Sequence, residues 1–200
     1  MATKTRSARV ERVTRETEIH VTLSLDGAGR AEIATPIPLF SRLLEGFCRY
    51  GNLDVTLDVV GDVEIDQHDA VEHTGLALGE ALREALGDRT GIRQAASAFV
   101  PVEEALALCA LDLSGRPFCA FEAAFGQDEL GGLETDLLPE FFRALARESR
   151  ATWHLRVEAG EDEGHKIEAL FRAAGRAVRD AASRDPGGAS VISGTNRPRE

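Results

Sequence analysis

Basic residues are in short supply. The 200-residue chain carries 23 Lys and Arg against 34 Asp and Glu, a formal net charge of −11. The acidic groups are scattered along the whole chain, so there is no cationic stripe to neutralise nucleic-acid phosphates, and a nucleic-acid partner is excluded on that ground. Long apolar runs are also missing. Nothing approaches the roughly 18 consecutive apolar residues that span a bilayer, and residues 1–17 lack the apolar segment of a secretory signal, so no membrane partner and a cytoplasmic location are expected. Cysteine is scarce and odd in number: Cys48, Cys109 and Cys119 lie in apolar stretches with no C-x-x-C spacing. That excludes a disulfide framework and a zinc knuckle and leaves buried, inert thiols.

What is present is an ordinary globular composition, 43% hydrophobic and 28% charged, in a chain long enough to bury a core. Residues 9–25 end in alternating β-branched and polar positions, and the turn Leu25-Asp26-Gly27-Ala28-Gly29 with an extended run to Ile33 predicts a β-hairpin. Leu39, Phe40, Leu43, Leu44 and Phe47 make one face of a helix over 38–50, stopped by Gly51-Asn52. A strand over 53–61 and an Ala- and Leu-rich helix over 71–86, closed by Gly87, follow. The order then recurs: strands over 98–113 and 117–124, a helix over 140–149, a strand over 151–157 and a helix over 167–182. The recurrence predicts an internal duplication of roughly 90 residues. One α/β domain over 9–196 is expected, with halves 9–92 and 93–196, two four-stranded sheets packed through helices, and short tails at 1–8 and 197–200. By composition alone the Gly- and Pro-rich residues 185–200 read as a loose end.

Each long second helix opens on side chains able to ligate metal. The first cluster runs Asp66-Gln67-His68-Asp69-Ala70-Val71-Glu72-His73, the second Glu161-Asp162-Glu163-Gly164-His165-Lys166-Ile167-Glu168. His68 and Glu72 are four apart, His165 and Glu168 three apart, so imidazole and carboxylate share a helical face in both. Nitrogen and oxygen donors suit manganese, iron or zinc. A single such cluster reads first as a solvated helix start or cap; its repetition in both halves brings the metal reading level with that one.

Other segments carry a resemblance. Arg12, Thr14, Glu16 and Thr17 followed by Leu25-Asp26-Gly27-Ala28-Gly29 match an Arg-x-Thr-x-Glu-Thr and Leu-Asp-Gly-x-Gly pattern. Gly61-Asp62 precedes the first cluster at the spacing of Gly-Asp before Asp-Asp-His-His-x-x-Glu-Asp. Glu103-Glu104-Ala105-Leu106, Asp112-Leu113-Ser114-Gly115-Arg116-Pro117, Leu130-Gly131-Gly132, Thr152-Trp153-His154-Leu155 and Glu168-Ala169-Leu170-Phe171-Arg172 continue it in order. The chain resembles the imidazoleglycerol-phosphate dehydratases from about residue 9 to 196. The resemblance implies a duplicated, ribosomal protein S5 domain 2-like α+β fold, trimers assembling into twenty-four-subunit shells, and active sites shared between subunits. It implies two Mn2+ ions and removal of water from imidazoleglycerol phosphate to give imidazoleacetol phosphate. Carried over residue by residue, it gives His68, Glu72, His154, His165 and Glu168 as metal ligands, and Glu16, Glu72 and Glu168 as catalytic. Glu16, Arg116 and Ser193 become substrate-binding.

The departures fall on the chemistry. The family's Phe-Asp-His-Met reads Phe40-Ser41-Arg42-Leu43, its His-Gly reads Tyr50-Gly51, and each His-His pair has lost one member, to Asp69 and to Gly164. Arginine does not ligate metal at neutral pH. Gly-Ile-x-Arg appears as Gly91-Ile92-Arg93-Gln94, and Pro-Ser-Thr-Lys-Gly as Ile192-Ser193-Gly194-Thr195-Asn196 without its lysine. If one metal site of the family uses the positions of His68, Glu72, His154 and His165, that site survives, with Glu168 left over or behind it. Three readings stay open: a dehydratase with one Mn2+ and reduced turnover, a one-metal paralogue acting on another small molecule, and a non-catalytic assembly protein.

Overall fold

The computed structural model describes residues 5–61, 63 and 67–185. Strands β1 (Ser7–Val13) and β2 (Thr17–Ser24) form the first hairpin, β3 (Ala31–Ala34) leads into α1 (Pro38–Gly51), and β4 (Asp54–Gly61) into α2 (His68–Leu86). The second half repeats this with β5 (Ala95–Val102), β6 (Ala105–Asp112) and β7 (Phe118–Glu122), then α3 (Leu137–Ser149), β10 (Thr152–Ala159) and α4 (Glu163–Ala181). A small ladder of β8 (Glu129–Leu130) and β9 (Leu133–Glu134) precedes α3. The sheet orders, β1-β2-β4-β3 and β5-β6-β10-β7, are the same pattern twice, as the duplication predicts.

Two local expectations are corrected. The extended run after the Leu25 turn does not fold back on β2. It pairs in parallel with β4, Ile33 opposite Leu57. The cause is Asp54, whose carboxylate accepts the N–H groups of Ala28 (2.8 Å) and Arg30 (3.0 Å) and the Arg30 guanidinium, pinning the turn to the start of β4. The apolar run 98–113 is two antiparallel strands, divided where Glu103 takes φ 46° in a tight turn.

Period-2 patterning sets the inner faces: Ile19, Val21 and Leu23 of β2, Val55, Leu57 and Val59 of β4, and Trp153 and Leu155 of β10 are buried. Against them lie the helices, and the two halves meet helix to helix, α1 on α4 and α2 on α3. Phe40 of the first half packs edge-on against Phe141 of the second, ring centroids 5.3 Å apart, with Phe171 stacked behind at 5.5 Å. Backbones touch at two glycines in the same register, Gly79 seven residues after Glu72 and Gly175 seven after Glu168. A Cβ on Gly79 would stand 2.7 Å from the Leu145 carbonyl oxygen, and one on Gly175 would be driven into that of Phe47. No helix among the described residues is long and apolar enough to cross a membrane.

Candidate functional site

The starts of α1, α2 and α4 are gathered at one end by the loop around β8 and β9. The N–H of Gly126 donates to Glu163 Oε1 (2.9 Å) and that of Glu134 to Gln67 Oε1 (3.3 Å). Leu39 of α1 lies under Gly131, and Gly164 of α4 under Leu130. Lys166, 8% exposed, closes the clip through an ion pair with Glu163 (2.8 Å) and a hydrogen bond to the Ala124 carbonyl (3.3 Å).

On the first turn of α2, His68 Nε2 lies 3.9 Å from Glu72 Oε2, and Arg147 of α3 reaches the other Glu72 oxygen at 3.5 Å. At the start of α4 the Asp162 carboxylate caps the helix by accepting the His165 N–H (3.0 Å). The His165 ring is held from outside its helix: Nδ1 lies 2.8 Å from Glu104 Oε2. The other Glu104 oxygen accepts the N–H groups of Asp162 (2.9 Å) and Glu161 (3.2 Å). These amide bonds, with that of Asp162 foremost, and the imidazole pull the Glu104 carboxyl down to about 2. In return the Glu104 hydrogen bond raises the pKa of His165. A carboxylate kept ionised at Nδ1 fixes the tautomer and leaves Nε2 to face a ligand, the arrangement of a metal-bound imidazole. Glu104 is the site residue that sequence reasoning missed; its place in the Glu103-Glu104 turn between two apolar strands was the available signal.

Glu168 is engaged by Arg172, whose guanidinium also bonds the Tyr50 hydroxyl (3.2 Å) and lies over its ring. Ser41 bonds the Thr35 hydroxyl (2.9 Å) and accepts its N–H (3.1 Å). Ser41 and Tyr50, two of the departures, thus serve the scaffold, while Arg42 is exposed. Glu16 is exposed on the β1–β2 turn. His154 points away from the helices, its ring 5.5 Å from that of Phe118. With Ala95, Ser97, Ala110, Asp112 and Thr152 it lines an open cavity of about 470 Å³ on the outer face of the second sheet. Arg116 is exposed at the lip, its carbonyl accepting the Thr152 hydroxyl (3.1 Å), and Gln94 donates to Asp112 (3.0 Å). Ser193, Asp62 and Asp66 lie outside the described residues.

One chain therefore brings together His68 with Glu72, and His165 with Glu104, but not the whole expected set. Among its described residues no three His, Cys, Asp or Glu side chains group to hold a metal ion. The reason is topological: α2 and α4 lie on the inner sheet faces, whereas His154 is on an outer face.

The sequence model described as imidazoleglycerol-phosphate dehydratase matches residues 35–178. The protein of that name from Symbiobacterium thermophilum is 51% identical over 181 residues, 90% of this chain and 87% of the relative. The one from Alkaliphilus metalliredigens is 43% identical over 189 residues, 94% and 97% of the two chains. The crystal structure of the Staphylococcus aureus imidazoleglycerol-phosphate dehydratase superposes with a TM-score of 0.80 at 28% identity, covering 89% of this chain and 99% of that one. The Pyrococcus furiosus structure gives 0.77 at 32% identity, covering 88% and 94%. With duplicated sheets in one order and helix-start clusters in one register, the chain belongs to the imidazoleglycerol-phosphate dehydratase family.

Proposed function

We propose that this chain is a metal-dependent carbon–oxygen lyase of the histidine-biosynthesis type, dehydrating imidazoleglycerol phosphate in the cytoplasm with one Mn2+ per site and slowed turnover. The observation that carries the reading is His165, whose Nδ1 is fixed by an amide-bound carboxylate so that Nε2 is left to a ligand. His68 and Glu72, side by side, add the nitrogen and oxygen donors that manganese accepts. His154, on an outer sheet face, completes the set from another subunit, which makes the working unit a homo-oligomer, trimer-based and up to a twenty-four-subunit shell. Glu168, tied to Arg172, supports from behind.

When bound, Mn2+ supplies Lewis acidity toward an imidazole nitrogen of the substrate. The remaining work belongs to side chains. Arg116 and Ser193 bind the phosphate, and Glu16 moves the proton from its exposed turn. With one metal held by His68, Glu72, His154 and His165, Lewis acidity would reach only one ring nitrogen and the other would be left to a hydrogen bond from the protein. Each ~1.4 kcal/mol of lost transition-state stabilisation costs tenfold, so a deficit of about 4 kcal/mol slows turnover roughly a thousandfold.

The test is growth of a histidine-requiring strain lacking its own dehydratase, paired with product measurement and metal analysis of protein purified without chelator. Weak product formation with about one Mn2+ per chain supports the reading; ordinary turnover refutes the deficit, and metal-free, inactive protein refutes the activity. A second reading, a one-metal paralogue acting on another small polar molecule, is favoured by Gln94. Where the family pattern places arginine next along, a neutral amide faces Asp112.

A further inference from the structure

His73 stands where the family's first cluster has an aspartate, and nothing in the proposed chemistry uses it. Its Nδ1 lies 2.7 Å from Oγ1 of Thr17, the first residue of β2 and only 5% exposed. Thr17 Oγ1 is in turn 3.2 Å from Thr14 Oγ1, which accepts the N–H groups of Glu16 (3.1 Å) and Thr17 (3.0 Å).

Proton counting sets the direction of this chain of bonds. A hydroxyl has one proton and two lone pairs. Two amides occupy the lone pairs of Thr14, so its proton goes to Thr17 Oγ1, nearer at 3.2 Å than the Thr17 carbonyl at 3.4 Å. Thr17 then gives its own proton to Nδ1 of His73. The relay runs from the amide of Glu16 to an imidazole on α2, the helix whose first turn carries His68 and Glu72.

We propose that His73 is a positioning residue for Glu16, fixing the Thr14–Thr17 turn, and with it the Glu16 carboxylate, relative to the His68–Glu72 start of α2. The inference rests on the reading of Glu16 as the proton-moving group. Without the imidazole the buried Thr17 hydroxyl loses its acceptor, and an unsatisfied buried donor drives the turn to other arrangements. Small displacements of a reacting group are expensive in rate, which is why a residue that only holds another is felt in turnover.

The experiment compares His73→Ala with His73→Asn in the full chain loaded with Mn2+. Asparagine places its Oδ1 where Nδ1 lies and accepts the same proton. His73→Ala should lower kcat about tenfold with KM within about twofold, at unchanged metal content and with the melting midpoint lowered by only a few degrees, and His73→Asn should recover most of both. Hydrogen exchange of the Glu16 and Thr17 amides, which needs no turnover, should quicken about tenfold in the alanine variant and return in the asparagine variant. Unchanged exchange in His73→Ala overturns the proposal whatever the activity. Glu16→Gln separates it from the reading beneath: an inactive Glu16→Gln beside a fully active His73→Ala sinks the positioning role alone. A fully active Glu16→Gln removes the role of Glu16 and the proposal with it.

Discussion

Glu104 and His165, 61 residues apart in the chain, form a 2.8 Å contact in which two backbone N–H groups hold the carboxylate while the carboxylate holds the ring. Carboxylate partners of metal-bound imidazoles typically account for 10- to 100-fold in metal affinity. Glu104→Ala is therefore expected to weaken Mn2+ binding by roughly that factor, and Glu104→Gln, which keeps an acceptor oxygen but no charge, by less. Titration calorimetry decides; equal affinity in all three proteins would detach Glu104 from the metal.

The same pair fixes a pH dependence of stability. The Glu104 carboxyl is lowered from 4.5 to about 2, so its contribution is present above about 4.5 and is lost as pH falls toward 2. His165 is raised above 6.5, so its contribution is present below 6.5 and is lost as pH rises through its higher folded value. In chelator, the melting difference between the natural protein and Glu104→Gln should peak between about 4.5 and 6.5 and shrink on both sides. A difference constant from pH 3 to 9 would contradict the pairing.

Metal content should separate the retained ligands from the engaged one. His68→Ala and His165→Ala are expected to lose Mn2+ with the fold intact, whereas Glu168→Gln, whose parent carboxylate belongs to Arg172, should keep it. Elemental analysis and circular dichroism check both halves of the statement, and full metal in both histidine variants would show the ligand set to be wrong.

Glycines in the helices should respond in opposite senses. Gly175→Ala gains about 1 kcal/mol of helix propensity but forces a methyl into the Phe47 carbonyl, an overpacking cost of about 1–3 kcal/mol or more. Gly46→Ala meets only the flexible Arg172 side chain, at 3.9 Å, and should keep up to about 1 kcal/mol. The melting midpoint should thus fall for the first and rise by about 2–4 °C for the second. A stabilised Gly175→Ala would mean that the helices separate.

Much of the fold was legible because its signals are local. Leu39, Phe40, Leu43, Leu44 and Phe47 repeat at helical spacing, and α1 and α2 end on stops written in the sequence, Gly51-Asn52 and Gly87. The pairing of β3 was not legible, because it is decided by Asp54, a polar residue distant in sequence from the turn it grips. The split of 98–113 was hidden by apolar residues on both sides of Glu103-Glu104. For the site, His68 and Glu72 were readable as helix neighbours. The Glu104 carboxylate was not, since only the folded chain carries the β5–β6 turn to the start of α4.

The packing of α1 on α4 and of α2 on α3 has a consequence for any attempt to divide the chain. A half cut out at residue 92 keeps its own sheet but bares Phe40, Phe47 and Gly79, whose partners Phe141, Gly175 and Leu145 all belong to the other half. Such a fragment is expected to bury that face only against a second copy of itself, in two-fold symmetry, with α1 of each copy on α2 of the other. The two helix starts have stopped matching: His68 stands beside Asp69 in one half, His165 beside Gly164 in the other.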